Sequence, residues 1–138
     1  MANAESRKRF AIDALTALRI VRDDLDIASR HPLVGPAVLR SHVLSMLYRE
    51  VREGSLDERT ARAQLEGIAR LKVRLLGDRV SRATAWKLAR KLDWDDTAQA
   101  EYLAVAVLQA DAFVAGDERI AAAAPGIVPL ATYDDLSQ

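Results

Sequence analysis

Residues 99–121, QAEYLAVAVLQADAFVAGDERIA, decide the fold class of this chain. A mostly apolar helix opens the stretch, and a short apolar strand at 112–115 follows it. The strand ends at Gly116, and Asp117 comes directly after. A helix, a buried strand, a glycine and a carboxylate are typical of half a βαβ unit, and α/β sheets bind ligands at the carboxyl ends of their strands. Asp117 is therefore the first candidate site residue.

On both sides of this stretch, short apolar strands alternate with amphipathic helices. This alternation predicts an α/β fold, with a short parallel sheet between two helical layers, in a single domain that spans residues 1–138. Strands are predicted at 10–12, 33–36, 72–76, 112–115 and 127–130, with a polar loop at 23–31. Helices are predicted at 14–22, from near Pro36 to Gly54, at 58–71, at 79–92, from Gln99 through Leu108, and at 118–124.

The composition excludes several functional classes. The chain has 138 residues, half of them apolar and 29% charged, and it has no cysteine. A disulfide framework, a thiolate metal site and a cysteine nucleophile are therefore excluded. The sequence also has no glycine-rich phosphate loop, no HExxH motif and no serine nucleophile elbow, and its two histidines make a structural zinc site a poor prediction.

Charge is distributed unevenly, although the formal net charge is zero. Residues 70–91 carry eight basic side chains and one acidic one, whereas residues 93–138 carry nine acidic side chains and one basic one. Two solvated faces would account for this pattern. A basic surface for a polyanion, beside an acidic patch suited to a hard cation, would account for it as well.

The N-terminal segment weakly resembles a signal peptide, because basic residues precede an apolar run. Asp13 interrupts that run, and Arg19 and Arg22 follow closely. No apolar stretch in the sequence approaches the length needed to span a bilayer. A cytoplasmic protein without a membrane partner is therefore expected.

Two acidic residues stand at the ends of predicted strands. Asp13 follows the strand at 10–12, and Asp117 follows the strand at 112–115. If these strands are neighbours in a parallel sheet, both carboxylates face one cleft, where they would hold Mg²⁺ or Mn²⁺ through oxygen and activate water towards a phosphodiester. Aspartate is also a preferred helix N-cap, and capping alone would explain either residue.

Two further polar residues have plain structural explanations. Asp96 and Gln99 fit a variant of the capping box at the start of a helix. His42 lies on the shoulder of a helix face that carries Leu39 and Val43, and a lone helical histidine is more often a packing residue than a ligand.

The sequence resembles the PIN-domain family, the metal-dependent ribonucleases that include VapC-type toxins of type II toxin–antitoxin modules. The most specific match is AEYLAVAVLQADAFVAGDERIA at 100–121. The other matching stretches are FAIDALTAL at 10–18, VGPAVLRSHVLSMLYREVREGSLDE at 34–58, LLGDRVSRATAWKLARKLDW at 75–94 and GIVPLATYDDL at 126–136.

This resemblance assigns roles to four residues. Asp13 and Asp117 match the first and last acids of the family's site and would bind the metal, Mg²⁺ or Mn²⁺. His42 stands where the family has a glutamate, and Gln99 where it has an aspartate just before the AEY-like residues. Both would assist catalysis through oxygen or water contacts.

Three functional hypotheses follow. In the first, the protein is a toxin-like endoribonuclease that cleaves RNA phosphodiester bonds, forms a homodimer and is neutralised by a cognate antitoxin, with RNA lying along Arg40, Arg79 and Arg82. In the second, it is a catalytically impaired PIN-like protein that binds an antitoxin or RNA without nuclease activity. In the third, it is a small α/β binding domain in which the acids serve only as caps.

Overall fold

A short parallel sheet organises the structure, a computed structural model that describes residues 8–27 and 30–138. The strands described are β1 (Phe10–Ile12), β2 (Leu33–Pro36), β3 (Arg74–Leu76) and β4 (Ala112–Val114). They lie in the order β3-β2-β1-β4, and each neighbouring pair is parallel. The predicted α/β fold with a short parallel sheet is confirmed.

Helices connect the strands and flank the sheet. They are α1 (Ala14–Arg22), α2 (Leu39–Glu53), α3 (Glu58–Arg70), α4 (Arg79–Lys91), α5 (Ala100–Gln109) and α6 (Glu118–Ala123), with a 3-10 helix at Tyr133–Ser137. Helix α5 packs on β1, β2 and α4, whereas α1 packs on α2 and α3. The result is a three-layer α/β/α arrangement, as predicted.

The core lies where α5 meets the sheet. Phe113 and Leu103 are fully buried, and Ile12 lies beside them with 0% exposure. Burying a side chain of this size stabilises the fold by about 1.5–3 kcal/mol. The prediction of a deeply buried α5 is confirmed for Tyr102 through Ala106, but Leu108 is 38% exposed.

The register between β1 and β4 fixes the position of the two candidate acids. Ile12 pairs with Val114, the last residue of each strand. Asp13 follows Ile12 directly, and Asp117 follows Val114 after two residues, so both acids lie at the same edge of the sheet. The sequence places both acids in one cleft only if their strands are neighbours in the sheet, and β1 and β4 are neighbours.

The predicted strand at 127–130 is wrong. Leu130 forms a single β-bridge with Phe113, and the backbone hydrogen bonds there run from Phe113 N to Pro129 O and from Ala131 N to Phe113 O. Pro129 has no N–H to donate, so the ladder cannot extend through it. The segment before it instead turns back on α6, since Ile127 and Val128 both donate to Ala124 O.

Other boundaries shift slightly. Pro36 ends β2 and does not open a helix, because α2 begins at Leu39. Gly54 ends α2 as predicted, in the left-handed conformation with φ of 82°.

Two predictions concern residues outside the described ranges. The signal-peptide-like segment includes residues 1–7, and the predicted loop at 23–31 includes residues 28 and 29. In the described part of the chain, no helix combines the length and the hydropathy that a membrane crossing requires.

Candidate functional site

All four side chains singled out from the sequence lie in one cleft at the carboxyl edge of the sheet. The cleft has a volume of about 470 Å³. Its lining includes Asp13, His42, Gln99 and Asp117, together with Arg49 and Tyr102. The structure thus brings together residues from α2, from the carboxyl ends of β1 and β4 and from the start of α5.

Asp13 is the buried centre of the cleft, with 1% of its surface exposed. It is the N-cap of α1, since its Oδ1 accepts from Thr16 N at 2.9 Å. Its Oδ2 accepts from Gly116 N at 2.8 Å and from Asp117 N at 2.9 Å. The capping role considered from the sequence is therefore confirmed, and the same carboxylate also ties the turn after β4 to α1.

Gly116 allows this close approach between the turn and α1. A Cβ atom added at this position would lie 2.8 Å from Leu15 Cβ and 3.2 Å from Thr16 N. Both of those atoms are held by the backbone of α1, so neither can move aside easily. This close contact explains why a glycine, Gly116, separates the strand from Asp117 in the sequence.

Asp117 is the N-cap of α6. Its Oδ1 accepts from Arg119 N at 2.9 Å and from Ile120 N at 3.0 Å. Its Oδ2 accepts from Gln99 Nε2 at 3.0 Å. Asp117 therefore caps a helix and faces the cleft at the same time.

Gln99 links Asp117 to a cation. While its Nε2 donates to Asp117, its Oε1 accepts from Arg119 Nη1 at 3.1 Å. The Arg119 guanidinium lies over the Trp94 ring, 4.3 Å from the ring centroid, and is held in place by this stacking. An amide carries both a donor and an acceptor, which allows Gln99 to contact an anion and a cation at once.

The predicted capping box at Asp96 and Gln99 is wrong. Gln99 occupies the N-cap position of α5, but its side chain caps no backbone N–H. Asp96 Oδ1 accepts only from Ala98 N, at 3.2 Å. The reason is the αR backbone of Gln99, which directs its side chain into the cleft and away from the helix end.

His42 contacts a residue that the sequence analysis missed. Its Nδ1 lies 2.6 Å from the hydroxyl of Tyr102, which is 3% exposed. Burial, and secondarily the charge of Asp13, raises the pKa of the Tyr102 phenol well above its usual range. The signal was available, because a tyrosine on an otherwise apolar helix needs a partner for its hydroxyl.

The donor set does not fit a dedicated site for Mg²⁺ or Mn²⁺. A carboxylate has about four acceptor positions, and N–H donors occupy three on Asp13 and three on Asp117. Within residues 8–27 and 30–138, no group of three or more His, Cys, Asp or Glu side chains is placed to hold a metal ion. Arg49 also lines the cleft, and Arg119 donates to Gln99, the residue that contacts Asp117.

No family model matches the sequence, and no curated protein matches it. Among solved structures, the chain is similar to the crystal structure of PAE2754 from Pyrobaculum aerophilum, with a TM-score of 0.67. The two sequences are 18% identical, and the alignment covers 88% of this chain and 90% of that chain. A likeness at this identity shows the fold, and the site must be interpreted from its own residues.

Proposed function

We propose that the protein is a PIN-like RNA-binding protein that has lost metal-dependent cleavage. The observation that carries the proposal is the position of Gln99, whose amide donates to Asp117 and accepts from Arg119. The PIN resemblance places an acidic metal ligand at this position. With a neutral amide there, the cleft retains two carboxylates, and N–H donors already occupy most of their acceptor positions.

The balance of charge in the cleft supports RNA as the ligand. A cluster of acidic side chains without a cation repels phosphate. In this cleft Asp13 and Asp117 are accompanied by Arg49, and Arg119 is held next to the cleft by its hydrogen bond to Gln99. Arginine is well suited to phosphate, because its planar guanidinium donates two parallel hydrogen bonds. An RNA backbone can therefore approach the cleft without a metal ion.

The second candidate is the toxin-like endoribonuclease, dependent on Mg²⁺ or Mn²⁺. Asp13 and Asp117 favour it, because the ends of two adjacent parallel strands place them in one cleft. The hypothesis of acids that serve only as caps is less satisfactory. It leaves the His42–Tyr102 and Gln99–Arg119 contacts without a role.

An RNA cleavage assay with Mg²⁺ or Mn²⁺, combined with calorimetric titration of Mn²⁺, tests the proposal. We expect no metal-dependent cleavage by the wild-type protein and no saturable Mn²⁺ binding. The double variant Gln99→Asp, His42→Glu should gain Mn²⁺ binding, because it restores two carboxylates to the cleft. Gln109→Asp is the matched control, since it makes the same change on α5 outside the cleft lining and should gain nothing.

One result would overturn the proposal in favour of the second candidate. It is wild-type cleavage that requires the metal and disappears in both Asp117→Ala and Asp117→Asn. The asparagine variant keeps an acceptor oxygen for the cap of α6, so it separates a loss of chemistry from a loss of folding.

We also propose a cognate antitoxin and a homodimer, which the resemblance implies, and a cytoplasmic location, which the sequence pattern predicts. A short antitoxin-like reading frame immediately upstream of this one would support the antitoxin. Sedimentation of the purified protein with and without that partner would test the homodimer.

A further inference from the structure

Helix α4 carries a bulky aromatic side chain that the fold leaves in solvent. Trp86 is 64% exposed, although tryptophan is on average a well-buried residue. Arg79, Arg82 and Arg90 are exposed on the same helix. Arg79 and Arg82 precede Trp86 by seven and four residues, and Arg90 follows it by four. This spacing places all four side chains on one helix face. We name this face the Trp86 stripe: Arg79, Arg82, Trp86 and Arg90.

The buried face of α4, which adjoins the stripe, holds it on a rigid support. Ala85 and Ala89 are buried there and pack with Ala100 and Ala104 of α5. Small side chains on both helices permit a close crossing with little freedom to slide. The stripe is therefore presented by a fixed element and not by a loop.

The basic side chains of the stripe are free to bind an anion. Among the described residues, no carboxylate lies within salt-bridge distance of Arg79, Arg82 or Arg90. Arg82 Nη1 donates to Gly77 O at 2.6 Å, and within the described residues its guanidinium makes no other hydrogen bond. The single acid at 70–91, Asp78, is occupied as the N-cap of α4.

Helix α4 connects to the cleft through its neighbours. It begins three residues after β3 ends, at the carboxyl edge of the sheet, and it packs on α5, whose N-cap Gln99 lines the cleft. The turn between the two helices contains Trp94, which stacks on Arg119, and Arg119 donates to Gln99. The start of α4 and the turn after it therefore both connect the helix that carries the stripe to the edge at which the cleft opens.

We infer that the Trp86 stripe binds single-stranded RNA, with an unpaired base stacked on the Trp86 ring and phosphates on the arginines. An exposed aromatic ring among unpaired cations is the arrangement with which proteins hold single strands. Neither an apolar partner nor a duplex matches both features, because the first needs no cations and the second offers no free base face. The inference rests on the proposed function and names a second contact for the same ligand.

Fluorescence anisotropy with a labelled single-stranded RNA of about 12 nucleotides, within the site sizes known for single-strand binders, tests the inference. Trp86→Ala should weaken affinity about tenfold, and Trp86→Phe should retain most of it, because it keeps an aromatic face. Arg79→Gln and Arg90→Gln should each reduce the slope of log K against log salt by about 0.7. Arg59→Gln, at an exposed position on α3, is the matched control and should change neither quantity.

Three outcomes would overturn the inference. The first is an RNA affinity that Trp86→Ala leaves equal to that of the wild type. This result would exclude the stripe as an RNA contact and would leave the proposal of RNA binding in the cleft unaffected. The second is equal binding of duplex RNA and heparin with no dependence on Trp86, which indicates a general polyanion patch. The third is a wild-type dimer that Trp86→Ala converts to a monomer, which makes the stripe a contact between copies of this chain. Absence of any RNA binding by the wild type would overturn the proposed function as well.

Discussion

Gln99 determines whether the cleft is acidic or neutral. Its side chain is uncharged, its Nε2 occupies an oxygen of Asp117, and its Oε1 holds the Arg119 guanidinium beside that carboxylate. An aspartate at this position could not donate to Asp117 and would pair with Arg119 directly. A single carboxylate-to-amide difference therefore changes both the charge of the cleft and the orientation of the cation beside it.

Asp13 contributes to stability because its carboxylate accepts from three backbone N–H groups, those of Thr16, Gly116 and Asp117. Asp13→Ala should lower the free energy of unfolding by about 3 kcal/mol, because each unsatisfied buried donor costs about 1–3 kcal/mol. Urea denaturation measures the change. Asp57→Ala is the matched control, since Asp57 is the N-cap of α3 without a side-chain cap bond. An equal, small effect in both variants would contradict the role assigned to Asp13.

Tyr133 should make the stability of the fold decrease at alkaline pH. Burial, and then the hydrogen bond from its hydroxyl to Asp23, raises the pKa of Tyr133 to about 12 from an ordinary value near 10. Since the pKa is higher in the folded state, the stabilisation is fully present below about pH 10 and is lost as the pH rises through about 12. Tyr133→Phe should therefore lose less stability than the wild type over this range.

Denaturation midpoints measured across the same alkaline range check this expectation, with Tyr48→Phe as the control because Tyr48 is 66% exposed. Parallel curves for the wild type and Tyr133→Phe would contradict it.

At the scale of elements, the crossing of α4 and α5 is the contact that joins the helix of the stripe to the helix whose N-cap lines the cleft. Ala85, Ala89, Ala100 and Ala104 form a small buried cluster between these helices. Because none of these side chains extends beyond Cβ, the helices lie close, and any larger residue must separate them.

Ala104→Leu should therefore destabilise the protein by about 1–3 kcal/mol and weaken RNA binding as well, since α4 must shift. Thermal unfolding and RNA anisotropy on the same sample provide the two measurements. Ala63→Leu makes the same change at an exposed position of α3 and should leave both unaffected. Normal stability and RNA affinity in Ala104→Leu would show that the crossing is less tight than described.

The turn after β4 is the second element that the cleft depends on. Gly116→Ala should lower stability by about 1–3 kcal/mol, because the new Cβ would meet Leu15 Cβ at 2.8 Å. Gly35→Ala is the matched control. Its added Cβ also lies 2.8 Å from its nearest neighbour, but that neighbour is the movable Cδ1 of Leu39. Chemical denaturation that shows the same loss in both variants would contradict this explanation.

The sequence predicts this fold well where side-chain pattern and turn residues agree. Apolar periodicity identifies the helices, and Gly54 and Asp13 mark helix ends correctly because their conformational and hydrogen-bonding preferences act locally. The predicted strand at 127–130 is wrong because the prediction relied on the apolar composition of the segment, although Pro129 has no N–H to donate to a ladder. The cleft contacts of Gln99 and Tyr102 depend on partners about 20 and 60 residues away, which no local pattern can reveal.

At the scale of the whole molecule, the sheet order determines where the candidate site lies. β1 is flanked by β2 and β4, so Asp13 stands at the centre of the carboxyl edge. Residues from α2, α5 and the turn after β4 line the cleft together with it. The zero net charge divides between a basic region around α4 and an acidic C-terminal third. We assign the basic region and the cleft together to RNA.

The most direct test of this account is the affinity of the wild-type protein for single-stranded RNA, measured in excess EDTA and again in Mg²⁺. We predict dissociation constants that agree within about twofold, a difference of under 1 kcal/mol, and RNA that is recovered intact from both samples. Binding that requires Mg²⁺, or RNA that is cleaved only in the Mg²⁺ sample, would contradict the account.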